Sequence, residues 1–188
     1  MIIDAAVDIM IDKPARILSN KTMAHIRTFA TNCASTNNYV NMGKIQNDIL
    51  VGKMAEIHIY KLFAAYYPGL TLPDFAIYQR GEKSWEHDLS AISPKPISIS
   101  VKGQDILQAK KYDPSWVFSR FDKSINITNP NHFAAFCIVD PANRYVELKA
   151  VVNVNTLTNL SLFSNMKIGW LNNTKKCVYE KDLIERYK

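Results

Sequence analysis

The fold turns on residues 86–104: Glu86-His87-Asp88-Leu89-Ser90-Ala91-Ile92, the break Ser93-Pro94-Lys95-Pro96, then Ile97-Ser98-Ile99-Ser100-Val101-Lys102-Gly103-Gln104. Both halves alternate with a period of two, the pattern of half-buried strands. Ile97, Ile99 and Val101 point one way, and Ser98, Ser100 and Lys102 the other. In the first half Trp85, His87 and Leu89 share one face, with Glu86, Asp88 and Ser90 opposite. Pro94 and Pro96 cannot extend a central ladder, so they mark a hairpin turn. If the polar faces coincide, the Asp88 carboxylate and the Lys102 ammonium project from neighbouring strands into one place.

An Asp on one strand and an acid-x-Lys triplet on the next resemble the PD-(D/E)xK nuclease superfamily. Here the two parts read His87-Asp88-Leu89 and Ser100-Val101-Lys102, and the likeness spans roughly residues 44–104. The chain departs from the pattern at His87, where the family often has proline, and at Ser100, where it usually has its second acid. The resemblance implies a restriction-endonuclease-like core and hydrolysis of DNA phosphodiesters with Mg²⁺, for which Mn²⁺ substitutes. Residue by residue, it implies Asp88 as the central metal ligand and the Val101 carbonyl as another. Ser100 would accept a metal-bound water without adding charge. Lys102 would position or deprotonate the attacking water and pair with the scissile phosphate. Gln104 continues the polar face and joins the catalytic candidates.

Upstream, residues 44–66 carry the strongest helical pattern. Ile45, Ile49, Gly52, Ile59, Tyr60 and Phe63 fall within about 60° of Glu56, which puts a carboxylate at the centre of the apolar arc. Such a group needs a partner, a proton or a metal, because burying it alone costs several kcal/mol. Two readings stand: an ion pair with Lys53 or a backbone partner, and the second metal ligand that the resemblance implies on a helix before the hairpin. Pro73-Asp74 is a competing acid, at the head of an expected strand over 72–78.

The composition bounds the partners. The chain has 188 residues, a formal net charge of +6 and 47% hydrophobic residues, which fits one domain with a real core and a polyanionic partner such as DNA. Lys110, Lys111, Arg120 and Lys123 are the candidate phosphate contacts. Cys33, Cys137 and Cys177 lack C-x-x-C spacing, which argues against a disulfide framework and points to a reducing, cytoplasmic setting. No stretch reads as a signal peptide or membrane span, so no membrane partner is expected. A homodimer stays open.

The remaining periodicities predict helices over 3–12, 20–33 (capped by Asn20), 105–112, 155–166 and 182–187, and strands over 116–118, 132–139 and 145–154. Residues 34–42 read as a loop, and Pro141-Ala142-Asn143 as a second hairpin turn. The whole is an α/β chain with a central mixed sheet flanked by helices, taken as one nuclease-like domain over 1–188. Residues 1–43 form a helical extension, 44–154 the core and 155–188 a helical tail. Two other functions compete. One is a nucleic-acid-binding domain on the same fold without catalysis, which Ser100 favours. The other is an HD-type metal phosphohydrolase, suggested by His87-Asp88 but needing that pair on a helix, with further ligands that His25, His58 and His132 do not arrange.

Overall fold

The computed structural model describes residues 9–10, 15–36, 41–79, 87–120 and 129–186. In chain order these give β1 (Ile9–Met10), β2 (Ala15–Ile17), α1 (Asn20–Thr36), α2 (Met42–Phe63), β3 (Leu89–Ala91), β4 (Ile97–Asp105), α3 (Ile106–Tyr112) and β5 (Ser115–Ser119). Then follow β6 (His132–Asp140), β7 (Tyr145–Asn153), α4 (Val154–Asn159), β8 (Lys175–Tyr179) and α5 (Glu180–Arg186).

The main sheet runs β1–β7–β6–β4–β3, with β2 also on β7. β4 and β6 are parallel, Ser98 level with His132 and Asp105 with Val139; the other neighbours are antiparallel. The sheet is therefore mixed, as expected. A parallel pair needs a crossover, and the segment holding α3 and β5 provides it.

The alternation of β4 sorts its side chains between two cores. Ile97, Ile99 and Val101 pack with Met23 and Ile26 of α1 and with Met54 and Phe63 of α2. On the other face, Trp116, Phe118, Phe136, Leu157, Val178 and Leu183 form the second core. β6 lies in the middle and feeds both, Phe133, Ala135 and Cys137 to the first and Ala134, Phe136 and Ile138 to the second. A strand covered on both faces is apolar throughout, which accounts for the uninterrupted run from Phe133 to Val139. Trp116 stacks on Phe136 at 4.7 Å and donates its indole N–H to the Cys137 carbonyl at 2.9 Å. β5 pairs with β8 in a small antiparallel sheet over this second core.

Several expectations are corrected. Residues 72–78 form no strand: Asp74 accepts the Ala76 N–H and the Tyr78 hydroxyl, both at 2.7 Å, and this local bonding competes with a ladder. Residues 9–10 are a strand on β7 instead of part of a helix, and the rest of that expected helix lies outside the described residues. α1 is capped by Ser19, whose Oγ accepts the Thr22 N–H at 3.2 Å, one residue before the expected Asn20. It runs on to Thr36 and α2 starts at Met42, so both ends of the loop expected over 34–42 are helical; residues 37–40 lie outside the described residues. The helix expected over 155–166 stops at Asn159, where Leu160 N–H turns back to Thr156 and Ser161 takes a positive φ of 54°. Trp85, Glu86 and the tail beyond Arg186 also lie outside the described residues. Among the described residues, no helix is long and apolar enough to cross a membrane.

The approach of α2 to β4 is closest at Gly103. A Cβ there would sit 3.1 Å from both Cγ1 and the backbone oxygen of Val51 and 3.3 Å from Cβ of Ala55. The backbone atom cannot step aside alone, so a side chain there requires the helix to give by a few tenths of an ångström. Gly103→Val is expected to destabilise the protein by about 1–3 kcal/mol, read as a lower midpoint in urea; an unchanged midpoint would show that this contact is not tight.

Candidate functional site

The hairpin register sets Leu89 opposite Ile99, Ser90 opposite Ser98 and Ala91 opposite Ile97. One step further puts Asp88 level with Ser100. There the Asp88 Oδ2 accepts the Val101 N–H at 2.7 Å, taking the place of the next ladder bond. The hairpin thus brings Asp88 against the Ser100–Lys102 triplet, and the charge strengthens that hydrogen bond. Val101 itself is buried on the α2 side. His87 and Asp88 precede β3 and lie on no helix, unlike the pair that an HD phosphohydrolase needs.

Ser100 and Lys102 face the second core. The Lys102 ammonium lies 4.8 Å above the Phe118 ring, a cation–π contact. Ser100 is buried, and its Oγ is 3.1 Å from Nε2 of His132, itself fully buried. His87 closes edge-on against His132, ring centroids 4.3 Å apart. Where the resemblance expects a second carboxylate, the fold therefore holds a hydroxyl bonded to an imidazole. Sequence reasoning set His132 aside. No local signal could have found it, because the contact crosses the parallel β4–β6 pair.

Glu56 is buried as the helical arc requires, at 8% exposure. Its Oε2 meets the Lys53 ammonium at 2.6 Å, and that ammonium lies 5.8 and 5.7 Å over the rings of Phe29 and Phe75. Val51 and Ala55 face β4 at Gly103, whereas Glu56 lies about 140° round the helix from Val51. α2 packs on the Ile97–Ile99–Val101 face and the Lys102 ammonium lies over the other, so the sheet separates Glu56 from Lys102. The fold brings Asp88, Ser100 and Lys102 together and gives Glu56 a neighbouring cation on its own helix.

Gln104 is tied into the scaffold. Its Oε1 accepts the Ser115 N–H at 2.7 Å and its Nε2 donates to the Asp113 carbonyl at 3.2 Å, so the amide anchors the start of β5 to β4. Asp74 is held in its own turn. Partial burial pushes its carboxyl up, but the Tyr78 hydroxyl, the Ala76 N–H and the charge of Lys53 together bring it below the usual carboxylate range. Lys110 and Lys111 are exposed on α3, and Lys111 lies over the Tyr112 ring at 5.0 Å. Arg120 is exposed beyond β5, and Lys123 lies outside the described residues.

Beside the hairpin, a cleft of about 770 Å³ opens between the first half of α2, the end of β4, α3 and residues 166–171. Lys102 reaches it. Among the described residues, no cluster of three or more His, Cys, Asp and Glu side chains is placed to hold a metal ion. No protein-family model, curated protein or solved structure matches this chain.

The Lys53–Glu56 pair carries a direct stability test. Glu56→Gln leaves the ammonium between two aromatic rings without its counter-charge and is expected to cost about 1–3 kcal/mol in urea denaturation. The double change Lys53→Met with Glu56→Gln should recover most of that loss, because both charges then leave together. Equal stability of wild type and Glu56→Gln would show that the ion pair contributes nothing.

Proposed function

We propose that this chain is a metal-dependent endonuclease acting on DNA, built on a restriction-endonuclease-like core. The observation that carries the reading is the Asp88 carboxylate, 2.7 Å from the Val101 amide in the same hairpin that presents Lys102. The mixed sheet, with β4 parallel to β6 and helices packed about it, is the scaffold this reading calls for.

Mg²⁺ is held by one or two carboxylates completed by carbonyls and water. Asp88 with the Val101 carbonyl would meet the lower limit of that set, and Ser100 would add an oxygen without charge. When bound, the ion would neutralise charge gathering on the phosphate and acidify a water. The chain's own groups divide the remaining work. Asp88 keeps one oxygen on the Val101 amide and would be the charged residue that holds the ion. Lys102 offers three N–H donors and a positive charge, which orient the phosphate and steady the attacking water. The Phe118 ring lies beneath that ammonium, 4.8 Å away, and helps to hold it in place.

A second reading, a nucleic-acid-binding domain that does not cleave, is favoured by the Ser100–His132 hydrogen bond and the Glu56–Lys53 ion pair. Each uses up a group that a fuller metal site would need. One assay separates the two. Wild type is expected to nick supercoiled DNA with Mg²⁺ or Mn²⁺ and not with EDTA, and Asp88→Asn or Lys102→Gln to slow cleavage at least about 100-fold. If supercoiled, linear and single-stranded DNA all survive both metals, the enzyme reading falls. Binding that weakens with salt at a slope near −0.9 per phosphate contact would then support the second.

A further inference from the structure

We propose that the cleft beside Lys102 binds an unpaired polynucleotide strand, with Trp170 as the platform on which one base stacks. The inference rests on the nuclease reading only through Lys102, which would serve both sites. Four lysines line the cleft, Lys44, Lys102, Lys167 and Lys175, against two aspartates, Asp48 and Asp105. Asp105 has both oxygens engaged by the protein: its Oδ1 caps α3 at the Leu107 N–H, 2.8 Å away, and its Oδ2 accepts from the Asn47 amide at 3.1 Å. Lys44 pairs with Asp48, and Lys167 with Asp113, on the exposed surface. Ion pairs of that kind contribute little and exchange readily for phosphate.

The cations alone fit any polyanion. Trp170 narrows the choice, since it lines the same cleft and is 79% exposed. The backbone that carries it is a 3-10 turn, Gly169–Leu171, tied by hydrogen bonds. Leu171 N–H donates to the Ile168 carbonyl at 3.0 Å and Asn172 N–H to Gly169 at 3.1 Å. From the flanks, the Met166 N–H donates to the Asn172 side chain at 2.6 Å and the Lys167 N–H to the Tyr179 hydroxyl at 3.1 Å. With the backbone tied in this way, stacking has to order only the two side-chain torsions of the indole. In a duplex each base has both faces covered by its neighbours, whereas an unpaired base offers a bare face. Lysines along a groove beside an exposed aromatic ring are the combination that binds single strands with little sequence preference.

The test is fluorescence anisotropy in EDTA with the full chain, using labelled oligo-dT, oligo-rU and a DNA duplex of equal length. Wild type should prefer a single strand to the duplex. Trp170→Ala should weaken single-strand binding by about tenfold or more, leave duplex affinity unchanged, and be largely rescued by Trp170→Phe. Lys175→Glu should weaken single-strand binding too. Because Trp170 is exposed, its loss should leave the thermal melt in place, and a matching melt ties any effect to binding. Tighter binding of oligo-rU or of oligo-dT tells which nucleic acid is the source, and either supports the proposal. Wild-type affinity for both single strands in Trp170→Ala would overturn it. A Trp170 effect without cleavage of any DNA removes the nuclease reading and keeps this one. Duplex cleavage without a Trp170 effect does the reverse.

Discussion

Strand β4 must satisfy two chemically different surroundings at once, and the rest of the molecule is arranged around that constraint. Its parallel register with β6 fixes which side chains point where. Ile97, Ile99 and Val101 go to the α1–α2 core, and the alternate positions, Ser100 and Lys102, go toward β5 and the second core. A one-residue slip would drive Lys102 under α2 and turn Val101 toward the second core. Gly103 adds a steric restriction, because a Cβ there would sit 3.1 Å from the Val51 backbone oxygen, tighter than an ordinary contact. The same close approach sets the first half of α2 beside the end of β4 and so shapes one wall of the cleft.

The chemistry at the hairpin follows from burial as much as from function. Ser100 is nearly inaccessible, and a lone carboxylate in its place would carry a desolvation cost of several kcal/mol. A hydroxyl bonded to His132 avoids that cost, and the position gives up negative charge that would strengthen cation binding. Glu56 reaches the same compromise by another route: its charge is kept but cancelled by Lys53 three residues earlier. Asp88, on the short outer strand's approach, keeps its carboxylate with only an amide as partner in the hairpin.

How far the sequence could be read depended on what each signal measures. Period-two alternation reports two faces, and both strands of the hairpin and the sorting of β4 were legible for that reason. Helical periodicity reported that Glu56 is buried, but not what covers it. Periodicity names a face and says nothing of the element opposite, so the choice between Lys53 and a metal stayed open. Residues 72–78 have strand-like composition, yet one aspartate bonding to Ala76 and Tyr78 was enough to hold them in a turn. β8 escaped notice because two lysines open it and only Cys177, Val178 and Tyr179 are buried. The cleft, Trp170 and the Ser100–His132 contact arise between segments far apart in the chain, where a linear pattern carries no information.

The two ends of the main sheet are shielded by different means, and this bears on how copies of the protein avoid one another. At one end β3 is three residues long, the Asp88 carboxylate occupies the next amide of β4, and Thr71 exchanges hydrogen bonds with Ser90. Little backbone is left there to recruit a foreign strand. At the other end β7 is nine residues long and largely buried, and its outer side is covered by β1 and β2. The side chains of β2 are exposed and add little area to either core. What β1 and β2 supply is backbone pairing that keeps a long apolar edge from joining its counterpart on another molecule, a guard against aggregation.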